Sequence, residues 1–209
     1  MIIAIDGTTS SGKGTLAKRL AAHYGLPHLD TGLLYRAVGK AAMDAGVDFK
    51  DEAACAAIAA GIDPAGFDER ELRTAGVGAA ASIVAVLGDV RRALFDLQRN
   101  FAHRPGGAVL DGRDIGTVIA PEAAAKLFVT ASVDARAQRR FREMTAQGRA
   151  VSLAEIAADL AARDLRDRTR RDAPLVAAGD ALLLDTSALG PQQAIAAAIA
   201  LVEGRLTAA

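Results

Sequence analysis

The amino-acid sequence predicts an α/β fold of three layers, with a parallel sheet of five strands between two layers of helices. Short apolar segments alternate along the chain with longer segments of helical periodicity, which is typical of such a sheet. The run from Ile2 to Asp6 is apolar until its last residue, as expected of a strand buried on both faces. With 209 residues, the chain is long enough for one domain with a substantial core.

In the first half of the chain, strands are predicted at 2–6 and 27–30. Between them, a helix is predicted over 12–24 because Leu16 and Leu20 share one face before a Gly-Leu-Pro break. Three further helices are expected from the same kind of pattern. They are predicted at 33–45, 51–60 and, with Asp89 as the N-cap, 89–101.

The second half of the chain supplies the other three strands. They are predicted at 108–111, 126–130 and 181–185. Two helices are predicted between the last two strands, at 133–147 and from Ser152 onward, where Ser152 and Glu155 form a capping box. Gly190-Pro191 is expected to begin the final helix.

Composition argues against several classes of protein. The formal net charge is zero, so no overall field favours nucleic acid or a membrane surface, and neither is expected as a partner. The basic residues comprise 20 Arg and 5 Lys, and guanidinium is the better bidentate ligand for phosphate. Cys55 is the only cysteine, which excludes an internal disulfide and a cysteine metal cluster and is typical of a reducing compartment.

No targeting or membrane segment is expected. The opening Met-Ile-Ile-Ala-Ile-Asp lacks the basic region and cleavage site of a signal peptide. The longest uncharged stretch runs over the 15 residues from Thr74 to Gly88, short of the roughly 20 that cross a bilayer. We therefore expect a cytoplasmic protein.

A glycine-rich loop joins the first strand to the first helix. Strand, loop and helix together match the context of a P-loop, whose backbone N–H groups and lysine bind nucleotide phosphates. A chance Gly-rich turn is the structural alternative, and it would not require this context. The predicted ATP-binding residues are Gly7, Thr8, Thr9, Ser10, Ser11, Gly12, Lys13, Gly14 and Thr15.

The end of this motif narrows the class of P-loop protein. Gly14 follows Lys13, where most P-loops have the Ser or Thr that holds Mg²⁺, and Lys-Gly-Thr is typical of nucleoside monophosphate kinases. GTPases usually read guanine with Asn-Lys-x-Asp, but Asn100 is the only asparagine. The third strand ends in Asp111-Gly112 without the Glu that activates water in ATP-hydrolysing motors. A kinase must avoid hydrolysing ATP, so the absence of this Glu is consistent with a kinase.

A kinase also needs a second site that holds the acceptor in line with the γ-phosphate. Four segments rich in Arg and Asp are candidates, and each also has a structural interpretation as a helix cap, a turn or a solvated charged helix. They are 30–36, 110–117, 163–171 and 136–149. In the first segment Thr31 is expected to cap a helix, and the fourth segment includes Arg136 and Arg142. The last two segments frame a helical hairpin that could close as a lid.

Taken together, these motifs resemble the bacterial cytidylate kinase family over nearly the whole chain. The motifs are Ile5-Asp6-Gly7…Gly12-Lys13-Gly14-Thr15, Leu29-Asp30-Thr31-Gly32…Tyr35-Arg36, Asp111-Gly112-Arg113-Asp114-Ile115-Gly116-Thr117-Val118 and Arg163-Asp164…Arg166-Asp167-Arg168…Arg170. Adenylate kinases do not carry the second pair of motifs in this form.

The resemblance implies a role for each matched residue. Arg36, Arg113 and Arg170 match residues that bind the acceptor phosphate, and Asp167 matches one that accepts from the ribose 2′-hydroxyl. Ser82, Arg91 and Asp114 match residues that read cytosine, while Arg139 and Arg140 match lid arginines. The implied catalytic residues are Lys13, Arg113, Arg139 and Arg170. The implied CMP-binding residues are Thr31, Arg36, Ser82, Arg91, Arg113, Asp114, Arg163, Asp167 and Arg170.

The resemblance also implies the reaction and its organisation. ATP would phosphorylate CMP or dCMP, with Mg²⁺ held by ATP phosphates and water and with Thr15 or Asp111 in its outer shell. The chain is expected to be a monomeric single domain whose only partners are these nucleotides. Its predicted parts are a core (1–35, 102–132 and 172–209), a monophosphate-binding insert (36–101) and a lid (133–171).

The chain departs from the family pattern in two places. Thr31 stands where Ser is common, which keeps the hydroxyl. The insert is short between Asp63 and Glu71, where bacterial members have a small sheet, so rejection of UMP is left open. Alternative functions are a P-loop kinase for UMP or a non-nucleotide acceptor, a nucleotide-binding regulatory module, and an RNA-binding protein. Aromatic residues that could stack on bases do not interleave the Arg cluster, which disfavours RNA.

Overall fold

A computed structural model, which describes residues 1–208, contains the predicted five-stranded parallel sheet. Its strands are β1 (Ile2–Gly7), β2 (His28–Asp30), β3 (Ala108–Gly112), β4 (Ala125–Thr130) and β5 (Leu182–Asp185). Their order across the sheet is β2-β3-β1-β4-β5. The order and the parallel ladders confirm the predicted fold class.

The first strand, β1, lies at the centre of the sheet. Ile5 pairs with Asp111 of β3 on one side and with Leu127 of β4 on the other. Ile3 and Ile5 are fully buried, which explains why the β1 sequence is a continuous apolar run. Because parallel strands end at the same edge, the segments that follow β1, β3 and β4 emerge side by side.

Nine α-helices accompany the sheet in the described part of the chain. They are α1 (Lys13–Tyr24), α2 (Thr31–Asp44), α3 (Glu52–Ala60), α4 (Glu69–Leu72), α5 (Ala75–Val84), α6 (Gly88–Ala102), α7 (Val133–Ala146), α8 (Leu153–Thr169) and α9 (Pro191–Thr207). None of these helices is both long enough and apolar enough to cross a membrane.

The chain divides into two compact units. The first consists of Met1–Leu29 together with the chain from Ala102 onward, and the second is Asp30–Phe101. In the first unit, α1 and α9 pack apolar side chains such as Leu20 and Val202 against the sheet. The second unit has its own small apolar cluster, which includes Leu33 and Leu72. The division into core, insert and lid stays a prediction.

Helix α5 was not predicted from the sequence. Its residues are mostly small and apolar on all sides, so they lack the amphipathic period that marks a surface helix. The helix packs on α2, where a Cβ at Gly39 would lie 2.9 Å from the amide nitrogen of Ala81. Only tertiary contact between the two helices therefore reveals α5.

Two predicted helix caps were wrong. Asp89 lies inside α6, which begins at Gly88, and its amide donates to Glu52 at 2.8 Å. Thr31 is the first residue of α2, and Asp30 precedes it as the N-cap without a side-chain capping hydrogen bond. The Ser152 half of the predicted capping box is confirmed, because the Ser152 hydroxyl accepts from the amide of Glu155.

Candidate nucleotide site

The phosphate loop leaves the centre of the sheet and leads into the N-terminus of α1. At Gly7 a Cβ would lie 2.0 Å from the carbonyl oxygen of Val129, so only glycine fits between β1 and β4. Gly12 has a φ of 93° at the start of α1. Ser10, between them, has a φ of 61°, a left-handed conformation that is unusual for a residue with a side chain.

Polar groups of the loop are available to a ligand. Among the residues that the structure describes, the buried hydroxyls of Thr8 and Ser11 have no hydrogen-bond partner. Unsatisfied buried hydroxyls are costly unless a bound group completes their hydrogen bonds. The ammonium of Lys13 lies 3.4 Å from the carbonyl of Thr8. Phosphate oxygens fit this set of donors, which is the arrangement expected of a phosphate site.

Asp6 connects the end of β1 to the segment that follows β3. Its two carboxylate oxygens accept from the amides of Ile115 and Gly116, both at 2.8 Å. These amides open a π-helical turn over Ile115–Ile119, a rare conformation that is frequent at functional sites. Burial raises the pKa of Asp6 from 3.8 to about 7, although the two N–H bonds favour the ionised form.

The raised pKa of Asp6 predicts a pH-dependent stability. Between 3.8 and about 7 the folded chain holds this proton more tightly than the unfolded chain, so protonation favours folding. We expect the contribution of Asp6 to the free energy of unfolding to fall as the pH rises through this window. Urea denaturation across the window should show a steeper decline for the wild type than for Asp6→Asn. Parallel pH profiles would contradict the assignment.

Arg113 and Asp167, which the sequence predicts as ligands for the acceptor, lie together beside the phosphate loop. Arg113 donates from Nε to Asp167 Oδ2 at 2.8 Å and from Nη2 to Thr9 Oγ1 at 2.7 Å. Burial acts to raise the pKa of Asp167, but the charge and hydrogen bond of Arg113 outweigh it and hold that pKa below 3.8. The pair therefore stays ionised near neutral pH.

Two more of the predicted acceptor ligands form an ion pair with each other. Each lies within three positions of Arg113 or Asp167 along the chain. Arg170, which is buried, donates from Nε to the carbonyl of Ala173 at 2.6 Å and lies 3.5 Å from Asp114 Oδ1 through Nη2. Arg163 is half-buried on α8, and burial together with repulsion from Arg113 lowers its pKa. An anion would relieve this concentration of positive charge.

The remaining predicted acceptor ligands belong to the second unit. Arg36 donates to the carbonyls of Leu72 and Thr74 at 2.8 and 3.3 Å. The Arg91 guanidinium lies 5.7 Å from the centre of the Tyr35 ring, within the range of a cation–π contact. Thr31 is buried and Ser82 is half-buried.

Arg139, predicted as a lid arginine, contacts the loop that follows β5. It donates to Thr186 Oγ1 at 3.1 Å and also to the Thr186 carbonyl. The Thr186 hydroxyl in turn donates to the carbonyl of Ser11 at 2.9 Å. Arg140 forms an ion pair with Glu143 at 3.2 Å on the surface.

Sequence reasoning missed a cavity next to the phosphate loop. Its volume is about 460 Å³, within the usual range for small-ligand sites. The cavity lining includes Gly12, Thr15, Arg139, Arg142, Ser187 and Pro191. One feature of the sequence could have indicated this cavity. Residues 186–191 directly follow the carboxyl end of a predicted strand, where open sheets bind ligands.

Asp111, predicted in the outer shell of Mg²⁺, is fixed by a histidine. His28 Nε2 lies 2.8 Å from Asp111 Oδ1, and both side chains are largely buried. A Cβ on Gly14 would lie 3.7 Å from Asp111 Oδ2, so this carboxylate reaches the start of α1. Among the residues that the structure describes, no cluster of His, Cys, Asp and Glu could hold a metal by itself. Oxygen ligands from phosphates and water would have to complete a Mg²⁺ site.

Comparison with known proteins gives a consistent family assignment. A family model described as Cytidylate kinase matches residues 3–204. A cytidylate kinase of Xanthobacter autotrophicus is 61% identical over 205 residues, covering 98% of each chain. One from Azorhizobium caulinodans is 58% identical over 203 residues, covering 97% of this chain and 98% of the other.

Solved structures resemble the fold at much lower identity. An uncharacterized protein from Eubacterium ventriosum has a TM-score of 0.56 at 17% identity and covers 97% of this chain and 98% of its own. An unliganded sugar kinase from Janibacter has a TM-score of 0.51 at 14% identity, covering 100% and 97%. These similarities support the fold alone.

Proposed function

This chain belongs to the cytidylate kinase family, and from that premise we propose that it transfers the γ-phosphoryl group of ATP to CMP or dCMP, giving ADP and CDP or dCDP. The observation that carries the proposal is the contact of Arg113 with both Thr9 and Asp167. An arginine, which is a residue type suited to an acceptor phosphate, therefore lies beside the loop that we assign to ATP.

We assign the donor side to the phosphate loop and the adjacent cavity. The backbone from Gly7 to Thr15 and the ammonium of Lys13 bind the phosphates of ATP. The cavity of about 460 Å³ beside Thr15 and Arg139 receives the rest of the nucleotide. Arg139 and Thr186 then link this nucleotide to the loop after β5.

The acceptor side is assigned to the cluster at the ends of β3 and α8. Arg113 and Arg170 bind the CMP phosphate, Asp114 reads cytosine, and Asp167 accepts from the ribose 2′-hydroxyl. Arg163 adds positive charge. For Thr31, Arg36, Ser82 and Arg91 of the second unit, the proposal rests on their match with the family motifs.

The residues present also fit Mg²⁺ bound through ATP. Thr15 lies in the first turn of α1, and the carboxylate of Asp111 reaches that turn from β3, so both would serve as outer-shell acceptors. The bound ion would neutralise phosphate charge. The chain's own arginines and Lys13 position the two phosphates and stabilise the charge on the transferring group. An acceptor phosphate oxygen forms a bond to the γ-phosphorus. At the same time the bond between the γ-phosphorus and the bridging oxygen breaks, and that oxygen leaves with ADP, so no covalent enzyme intermediate is required.

A panel of monophosphate acceptors tests this function. With ATP as the donor, we expect kcat/KM for CMP and dCMP to exceed that for UMP or AMP by at least about tenfold, because differential hydrogen bonding to the base edge is worth more than about 1.4 kcal/mol. Coupled measurement of ADP formation would give the ratio. Equal rates for CMP, UMP and AMP would overturn the cytidylate assignment. A cytoplasmic location and a monomeric state remain predictions.

A further inference from the structure

Thr9 of the phosphate loop is held by two arginines on two different atoms. Its hydroxyl accepts from Arg113 Nη2 at 2.7 Å. Its carbonyl oxygen accepts from Arg136 Nη1 at 3.1 Å. The two arginines are separated from Thr9 by 104 and 127 positions along the chain, so neither contact was visible in the sequence.

Each of these arginines is paired with an aspartate of α8. Arg136, whose side chain is 2% exposed, binds both oxygens of Asp164 at 2.5 and 3.1 Å. Arg113 binds Asp167 at 2.8 Å. Asp164 and Asp167 are three residues apart and therefore lie on the same helical face. Helix α8 thus holds Thr9 through two parallel Asp–Arg pairs.

The backbone conformation of the phosphate loop is consistent with Thr9 being held in place by these contacts. Ser10, directly after Thr9, has its φ at 61°, which costs about 1 kcal/mol or more for a residue with a side chain. A strained residue persists only where its surroundings hold it firmly. The two contacts on Thr9 supply that restraint on one side of Ser10.

Arg113 can keep these contacts while it binds a phosphate. A guanidinium has five N–H donors, and Arg113 uses one each toward Asp167, Thr9 and the carbonyl of Gly112. Two donors remain, which is the number that a bidentate phosphate contact requires. The Thr9 hydroxyl, which accepts from Arg113, retains its own hydrogen for a phosphate oxygen of the donor.

We propose that Thr9 is a positioning residue that couples the two nucleotide sites through its hydroxyl. A donor phosphate that accepts the hydrogen of the Thr9 hydroxyl fixes the orientation of that hydroxyl as the acceptor of Arg113. Arg113, held in this orientation, then binds the acceptor phosphate more tightly. This inference rests on the proposed function, which assigns the loop to ATP and Arg113 to CMP. The coupling is reciprocal, so bound CMP also tightens the binding of ATP.

Thr9→Val tests the coupling because valine keeps the shape of threonine and the backbone carbonyl but removes the hydroxyl. Calorimetry would measure CMP affinity with and without a non-hydrolysable ATP analogue. In the wild type we expect the analogue to tighten CMP binding by about fivefold or more. In Thr9→Val we expect that enhancement to be lost, so that the affinity for CMP is the same with and without the analogue. Thr9→Ser, which restores a hydroxyl, should restore the enhancement.

Several outcomes separate this inference from the proposed function. If Thr9→Val shows the wild-type enhancement, or if the wild type binds CMP without any enhancement, the coupling is overturned and the function stands. If the wild type does not bind CMP at all, the proposed function fails and the coupling fails with it. Thermal unfolding of each variant reports on folding. Thr9→Ala, which also lacks the hydroxyl, replaces Thr9→Val if that variant does not fold.

Discussion

Replacing Lys13 with methionine is expected to lower kcat/KM by about a thousandfold, the largest effect we anticipate from one side chain. Lys13 is the first residue of α1, and its ammonium lies 3.4 Å from the carbonyl of Thr8 within the phosphate loop. Methionine has a similar length but no charge. Under the proposed function the substitution removes a cation that contacts the transferring phosphates, a kind of contact typically worth about 10²–10³ in rate.

Steady-state kinetics with ATP and CMP would measure this effect, and Lys18→Met provides a matched control. Lys18 lies on the same helix but is exposed, so we expect its replacement to leave kcat/KM nearly unchanged. Thermal unfolding of both variants would show whether either one loses its fold. A Lys13→Met enzyme that is folded and retains most of its activity would remove Lys13 from the mechanism.

Replacing Arg113 with methionine is expected to lower kcat/KM for CMP by about 10²–10³, because the proposed function assigns this arginine to the acceptor phosphate. Stability should fall as well. Asp167, whose side chain is 14% exposed, would lose the partner that lies 2.8 Å away. A hydrogen bond to a charged group contributes about 1.5–3 kcal/mol, and we expect the free energy of unfolding to fall by about that amount.

The catalytic and structural effects of Arg113→Met can be separated. The double variant Arg113→Met, Asp167→Asn no longer leaves a carboxylate unpaired, so it should regain part of the lost stability without regaining activity. Arg205→Met is a control, since Arg205 is exposed on α9. If Arg113→Met reduces stability but not kcat/KM for CMP, Arg113 has only a structural role.

Three side chains of the candidate site support other residues and are not themselves predicted to contact a nucleotide. Asp6, Asp164 and His28 were not predicted as site residues, yet each fixes a predicted one or its segment. Asp6 holds the amides after Asp114, Asp164 holds Arg136, and His28 holds Asp111. A buried, hydrogen-bonded support of this kind keeps a site preorganised.

The sequence by itself determined the order of the strands and of most helices along the chain and the position of the phosphate loop, while its motifs, through their resemblance to a family, indicated the candidate ligands. Those features are local, because hydrophobic period, glycine and proline positions and short motifs act within a few residues of each other. The run from Ile2 to Gly7 predicts both the central strand and the start of the loop. Arg113 and Asp167 were likewise identified as ligands, although their mutual contact was not.

Only the tertiary structure decided which of these residues touch. Helix α5 forms because α2 covers it, and the cavity near Ser187 exists because the loop after β5 packs beside the phosphate loop. Arg113 reaches Thr9 across 104 positions, a distance that no local pattern encodes. The physical reason is that parallel strands bring their carboxyl ends to one edge of the sheet, and side chains from distant segments meet there.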